Sequence, residues 1–170
     1  MVVLLTSFDT WLPHQVSNSS DDLLTIIEQN QNHDLVLLKK LPVNTDLASQ
    51  QVIEKIQEVK PKTIICCGMA EKRDQLTIES NARCENDCRK SQVNLPKLLS
   101  CLNNTSISHD AGNFVCEGLY YQVLNHVHLH NLKIDCIFVH VPILNTINTQ
   151  DIYQDFTKIL NFVEQESANF

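Results

Sequence analysis

An α/β domain, with a mostly parallel open sheet held between two helical layers as a three-layer α/β/α sandwich, is the fold class that this sequence predicts. Three observations carry that expectation. Strand-like and helix-like segments alternate over residues 2–67 with connections of a few residues, the order that right-handed crossovers build into a parallel sheet. The strand-like segments are short continuous apolar runs, as in strands covered on both faces. The helix-like segments carry their apolar residues in one-sided stripes. The 170 residues suffice to bury a core without staples, and no repeat, low-complexity stretch or linker divides them, so residues 1–170 are read as one domain.

Residues 2–6 read as the first strand, and residues 7–18, with Trp11 and Pro13, as a loop. Ser19 or Ser20 can cap a helix to about Gln31, with Asp21 and Asp22 in its first turn favouring the dipole. Residues 35–38 form a second strand, which Pro42 breaks. Asp46 opens a helix to Val59, with Leu47, Val52, Ile53 and Ile56 facing inward, and Lys60-Pro61-Lys62 stops it. Residues 63–67 form a third strand ending at Gly68. Residues 76–80 read as a short strand, residues 81–94 show no period, and residues 96–102 hold a helical turn or two. A strand over 105–108 feeds the Gly112 turn. A helix over 113–131, a strand over 134–141 and a closing helix from 149 to about 164 complete the chain.

Composition excludes several roles. A formal charge of −7 with no Lys/Arg cluster argues against a nucleic-acid surface. The run Val2-Val3-Leu4-Leu5 is too short and lacks the basic flank of a signal peptide or span, so no membrane partner is expected. Seven cysteines, an odd number, without an export signal suggest a reduced, cytoplasmic protein whose thiols serve mostly as small buried residues.

The chemistry concentrates at Asp110-Ala111-Gly112-Asn113-Phe114-Val115-Cys116. This reads as a tight turn that delivers a thiol to a helix start, where unsatisfied N–H groups favour a thiolate. His140 lies near the end of its strand and Glu79 late in its own. Nucleophile, base and an acidic group to orient the imidazole are thereby available, as triad logic requires. Other groupings are weaker. Ser108-His109-Asp110 are sequence neighbours, which rarely converge in space. His126 and His130 share a helix face but lack further ligands. Cys66-Cys67 and Cys84-x-x-x-Cys88 lack a matched second pair.

Ala111-Gly112-x-Phe114-Val115-Cys116 together with Phe138-x-His140-Val141-Pro142 resembles the pyroglutamyl peptidase I family, the C15 cysteine peptidases. Leu4-Leu5-Thr6-x-Phe8, Asn18-Ser19-Ser20, Gly68-Met69-Ala70 with Arg73, and Leu76-Thr77-Ile78-Glu79 are similar to that family in the same order. The resemblance implies a cysteine exopeptidase that removes N-terminal pyroglutamate from peptides through a thioester acyl-enzyme, without metal or cofactor. It implies Cys116 as nucleophile, His140 as base and Glu79 as its orienting partner. It also implies Arg89 near the catalytic site, with Phe8, Phe114, Trp11 and Met69 around the substrate.

Departures from the family pattern accompany the match. Asp9-Thr10-Trp11-Leu12-Pro13 replaces a second phenylalanine and a glycine pair, Glu71-Lys72 replaces another glycine pair, and Glu117 replaces an asparagine. The stretch between Arg89 and Ser108 is shorter than in the family. The alternative is therefore an inactive or altered-specificity relative that binds or cleaves another small amide. A monomer and a homo-oligomer are both left open, because the shortened stretch is one that could make subunit contacts.

Overall fold

A computed structural model describes residues 2–30 and 34–167. β1 (Val3–Phe8), α1 (Ser19–Asn30), β2 (Leu35–Leu41), α2 (Thr45–Val59) and β3 (Thr63–Met69) alternate as expected, each strand running a residue or more beyond its expected end. Gln31, the expected end of the first helix, lies outside the described residues. Asn18 opens α1 in place of a serine, its Oδ1 accepting the N–H of Ser20 at 3.0 Å. At α2, Asn44 Oδ1 accepts the N–H of Leu47 at 3.0 Å. Lys60 ends the helix in the left-handed region at φ 48°, one residue before Pro61 forbids continuation.

β4 (Leu76–Glu79) is followed by the stretch that showed no period. It folds as a hairpin of β5 (Asn81–Cys84) and β6 (Asp87–Lys90), then α3 (Leu95–Leu99). β7 (Thr105–Ser108), α4 (Val115–Leu129), β8 (Asp135–Val141) and α5 (Thr149–Ser167) complete the order. The main sheet runs β2-β1-β3-β8-β4-β7. Its first four strands are parallel, whereas β4 pairs antiparallel with β8 and carries β7 parallel to itself. The reversal has a simple cause. Only residues 70–75 join β3 to β4, too few for the crossover that a parallel return requires.

Side chains alternate across this sheet with period two. Val3, Leu5, Ile65, Cys67, Ile78, Ile137 and Val139 pack with residues of α1 and α5. Leu4, Phe8, Ile64, Cys66, Cys136 and Phe138 pack on the other face with residues of α2 and α4. The three expected layers follow. No described helix is long and apolar enough to cross a membrane.

One buried carboxylate staples the reversed edge to α5. Asp155, 1% exposed, accepts the N–H groups of Asn103 at 3.0 Å and Asn104 at 2.8 Å and the Thr105 hydroxyl at 2.9 Å. Burial alone would raise its pKa, but these bonds outweigh it and hold the carboxyl below its ordinary value. Asp155→Ala removes three hydrogen bonds from part-buried donors, so urea denaturation should report a loss of about 1–3 kcal/mol. Because the folded pKa is depressed, the wild-type contribution is present above the unfolded aspartate range. It is lost as pH falls through the folded pKa, and the alanine variant should lack that acid limb.

Candidate active site

Period two also assembles the site. His140 and Phe138 of β8, Thr77 and Glu79 of β4, and Gly68 of β3 fall on the face beneath α2 and α4. Antiparallel pairing sets Thr77 opposite His140 and Glu79 opposite Phe138, which leaves Glu79 diagonal to the imidazole and within reach. His140 Nδ1 and Glu79 Oε1 lie 2.8 Å apart. Glu79 is fully buried and His140 nearly so.

Arg73, in the turn after β3, closes this polar cluster. Its Nη1 donates to Glu79 Oε1 at 2.7 Å and to the Thr77 hydroxyl. Its Nη2 donates to the Asp110 carbonyl at 3.1 Å and lies 3.4 Å from Ser108 Oγ. The guanidinium therefore links the carboxylate to the turn that precedes Cys116. Burial would push Glu79 up, but its bonds with His140 and Arg73 prevail and lower its pKa. The carboxylate is thus ionised at neutral pH and accepts Nδ1–H, leaving the lone pair of the imidazole on Nε2.

Cys116 arrives from the helical layer that covers this face. Asp110 Oδ1 accepts the N–H of Gly112 at 2.9 Å, and Gly112 turns the chain at φ 90°, a conformation open to glycine at no steric cost. α4 then begins at Val115 with no side-chain hydrogen bond capping it, so first-turn N–H groups beside the sulfur are free for a ligand. Sγ lies against Gly68, where an added Cβ would come within 2.6 Å of it. Gly68 is the residue that faces His140 across the β3–β8 ladder. Thiol and imidazole are therefore both neighbours of one glycine, although no hydrogen bond joins them among the described residues. Burial first, then the charges of Glu79 and Cys66, push the thiol up to about 12 against the opposing charge of Arg73. The thiol therefore rests protonated.

The family model described as pyroglutamyl peptidase matches residues 1–100 and 103–159. The chain belongs to the pyroglutamyl peptidase family. The pyrrolidone-carboxylate peptidase of Thermoanaerobacter sp. (strain X514) is 28% identical, over 85% of this chain and 83% of its own length. That of Bacillus mycoides is 27% identical, over 84% and 78%. Among solved structures, a variant pyrrolidone carboxyl peptidase from Pyrococcus furiosus superposes with a TM-score of 0.84 at 18% identity, covering 98% of this chain and 99% of that one. The pyroglutamyl peptidase I of Bacillus amyloliquefaciens gives 0.76 at 20%, covering 92% and 91%.

Within this pyroglutamyl peptidase fold, the remaining expected site residues separate into two groups. Phe8 is buried in the core cluster against which Cys116 packs. Trp11 and Phe114 are both exposed, with ring centroids 6.0 Å apart and planes tilted by 49°, so they form an aromatic rim just ahead of the nucleophile. Met69 and Arg89 lie elsewhere. Met69 follows Gly68 and so points to the opposite sheet face, where its sulfur accepts the Ser19 N–H at 3.4 Å. Arg89 sits on β6 beside α4, paired with Asp87 at 3.0 Å, because its position in the hairpin alternates it away from Glu79. Arg73 is the arginine at the cluster. The sequence signal for it was its place in the resemblance, with Gly68-Met69-Ala70, in the link after β3.

The other groupings resolve as well. His109 Nδ1 bonds the Ser80 hydroxyl at 2.7 Å instead of linking Ser108 to Asp110. The His126 and His130 rings pack 4.3 Å apart. Glu117 turns from the thiol, and its Oε1 accepts the N–H of Arg83.

The departures from the family pattern around Trp11 compensate for one another. Gln15 Oε1 accepts the N–H groups of Trp11 at 2.9 Å and Leu12 at 3.2 Å, while its Nε2 donates to Glu71 Oε1 at 2.7 Å. Glu71, standing where a flexible glycine pair is usual, thereby tethers the loop that carries Trp11. Glu71→Ala should raise KM for an amide substrate about three- to tenfold with kcat little changed, the scale of one or two lost hydrogen bonds.

Proposed function

We propose that this chain is a cysteine exopeptidase that removes N-terminal pyroglutamate from peptides. The observation that carries the reading is the buried His140–Glu79 contact placed across Gly68 from a thiol at an uncapped helix start. On substrate binding, His140 Nε2 takes the thiol proton as Sγ attacks the carbonyl carbon of the pyroglutamyl residue. First-turn N–H groups of α4 meet the developing oxyanion. The C–N bond breaks, the imidazolium returns its proton to the departing amine, and a thioester remains on Cys116. Water, deprotonated by His140, then attacks the thioester carbonyl and releases pyroglutamate, and the proton returns to the thiol. Glu79, held by Arg73, fixes the Nδ1–H tautomer and stabilises the imidazolium in each half.

The Trp11–Phe114 rim suits a small, flat, uncharged lactam ring. The cytoplasm is the compartment this chemistry favours, since the sulfur must stay reduced. The test is release of aminomethylcoumarin from its pyroglutamyl amide by the purified protein in a thiol-containing buffer, with the alanyl amide as comparison. Selective release of the pyroglutamyl compound supports the reading. Absence of release at micromolar protein would sink it.

A further inference from the structure

The β5–β6 hairpin presents a second recognition element. Its register sets Asn81 opposite Lys90 and Arg83 opposite Cys88, so these four share one face. The alternate face turns to α4, where Asp87 accepts the Tyr121 hydroxyl at 2.8 Å. The outward face lines an open cleft of about 380 Å³ with Ser80 and His109. Neither Arg83 nor Lys90 has an ion-pair partner among the described residues, whereas Arg73 and Arg89 each pair with a carboxylate. In a chain of net charge −7, a cleft lined by two unpaired cations and a histidine, with no carboxylate in its wall, is a local exception.

The residues lining the cleft are tied to the catalytic cluster at three points along the chain. Ser80 follows Glu79. His109 precedes Asp110, whose carbonyl holds Arg73. Arg83 is bound through its N–H to Glu117, the residue after the nucleophile. Of the nearby acids, Glu117 accepts that N–H through Oε1 and feels the charge of Arg83 without pairing to it, and Asp110 Oδ1 accepts the Gly112 N–H.

We propose that the cleft lined by Arg83, Lys90 and His109 is a subsite for a carboxylate on the peptide downstream of the scissile bond. The proposal rests on the peptidase reading for its substrate. A forked guanidinium and an ammonium facing one cleft suit a carboxylate, whether it is an acidic side chain or the C-terminus of a short peptide.

Three peptides distinguish those sources: pyroglutamyl-alanyl-alanine amide, its free acid, and pyroglutamyl-aspartyl-alanine amide. At low salt, kcat/KM should be roughly three- to fivefold higher for one or both carboxylate peptides than for the neutral amide, the scale of exposed ion pairs. The ratio should fall to about one in Arg83→Gln/Lys90→Gln and at about 0.5 M salt, where the Debye length is only a few ångströms. A second readout needs no turnover. In Cys116→Ser protein, millimolar carboxylate peptide should slow iodoacetamide labelling of the cleft residue Cys88, followed by peptide mass spectrometry, and the neutral amide should not. Labelling unaffected by the acidic peptides overturns the subsite, as does a carboxylate preference that survives in the double variant. Protection of Cys88 without turnover of any peptide by the wild-type chain leaves the subsite standing and removes the peptidase reading.

Discussion

Cys116→Ser, His140→Ala and the combination of the two are expected to fall to a common floor, about 10³- to 10⁶-fold below the wild-type kcat on a pyroglutamyl amide. The shared floor follows from the state of the sulfur. A thiol pushed up to about 12 by burial is ionised to only about one part in 10⁵ at pH 7. The nucleophile therefore exists only as its proton leaves for His140, and neither group has much value alone. Serine in place of Cys116 offers an alcohol that is harder still to deprotonate, and alanine in place of His140 removes the acceptor. Steady-state kinetics on the three variants checks this, with circular dichroism to confirm that each is folded. His140→Ala retaining more than about a tenth of the wild-type rate, or losses that multiply in the double variant, would show that the two groups act independently.

How much of this was legible depends on which physical signal carried each part. Continuous apolar runs marked β1, β3 and β8, and one-sided stripes marked α1, α2 and α5, because burial on one or two faces leaves its period in the residues. Cys116 was legible at a helix start and His140 near a strand end, whereas Glu79 lies late in a strand that runs the other way, opposite Phe138. The reversed edge was not. β4 and β7 are four residues each, too short for period to state a direction, and the reversal follows from a short link. The β5–β6 hairpin was unreadable for a related reason: one face rests on α4 while the other is open, so its sequence is mostly polar. That gap also misplaced the arginine. The resemblance implied Arg89, whereas the side chain that meets the carboxylate is Arg73, six residues before Glu79.

Arg73 also shows why the cluster is rigid. A fully buried carboxylate is costly unless its hydrogen-bonding capacity is met. Here two cationic or potentially cationic groups converge on one oxygen, Glu79 Oε1, while Oε2 is buried with no partner among the described residues. The same guanidinium reaches the Asp110 carbonyl on the way to Cys116. The contact that stabilises the base's partner is thus also a strut for the nucleophile's turn, and the two halves of the site arrive in register although one comes from the sheet and the other from the helical layer above it.

Gly68→Ala is expected to be the most damaging conservative substitution in the sheet. The new methyl group would lie 2.6 Å from Cys116 Sγ and 2.9 Å from the Phe138 ring, distances at which something must shift. Phe138 is fully buried, with its ring 5.6 Å from that of Tyr120 and 4.8 Å from that of His140, so its displacement moves the base as well. Overpacking of this kind costs about 1–3 kcal/mol, read from urea denaturation. A shift of about 1 Å at the reacting atoms lowers kcat about 10²-fold, with no loss of any catalytic group. A cycle with Cys116→Ala separates the two contacts. Removing the sulfur relieves the 2.6 Å clash, so Gly68→Ala should destabilise the Cys116→Ala protein less than wild type, with a coupling of about 1 kcal/mol. Additivity within about 0.5 kcal/mol would mean that the sulfur does not rest on Gly68, and that the activity loss arises through Phe138 and His140 instead.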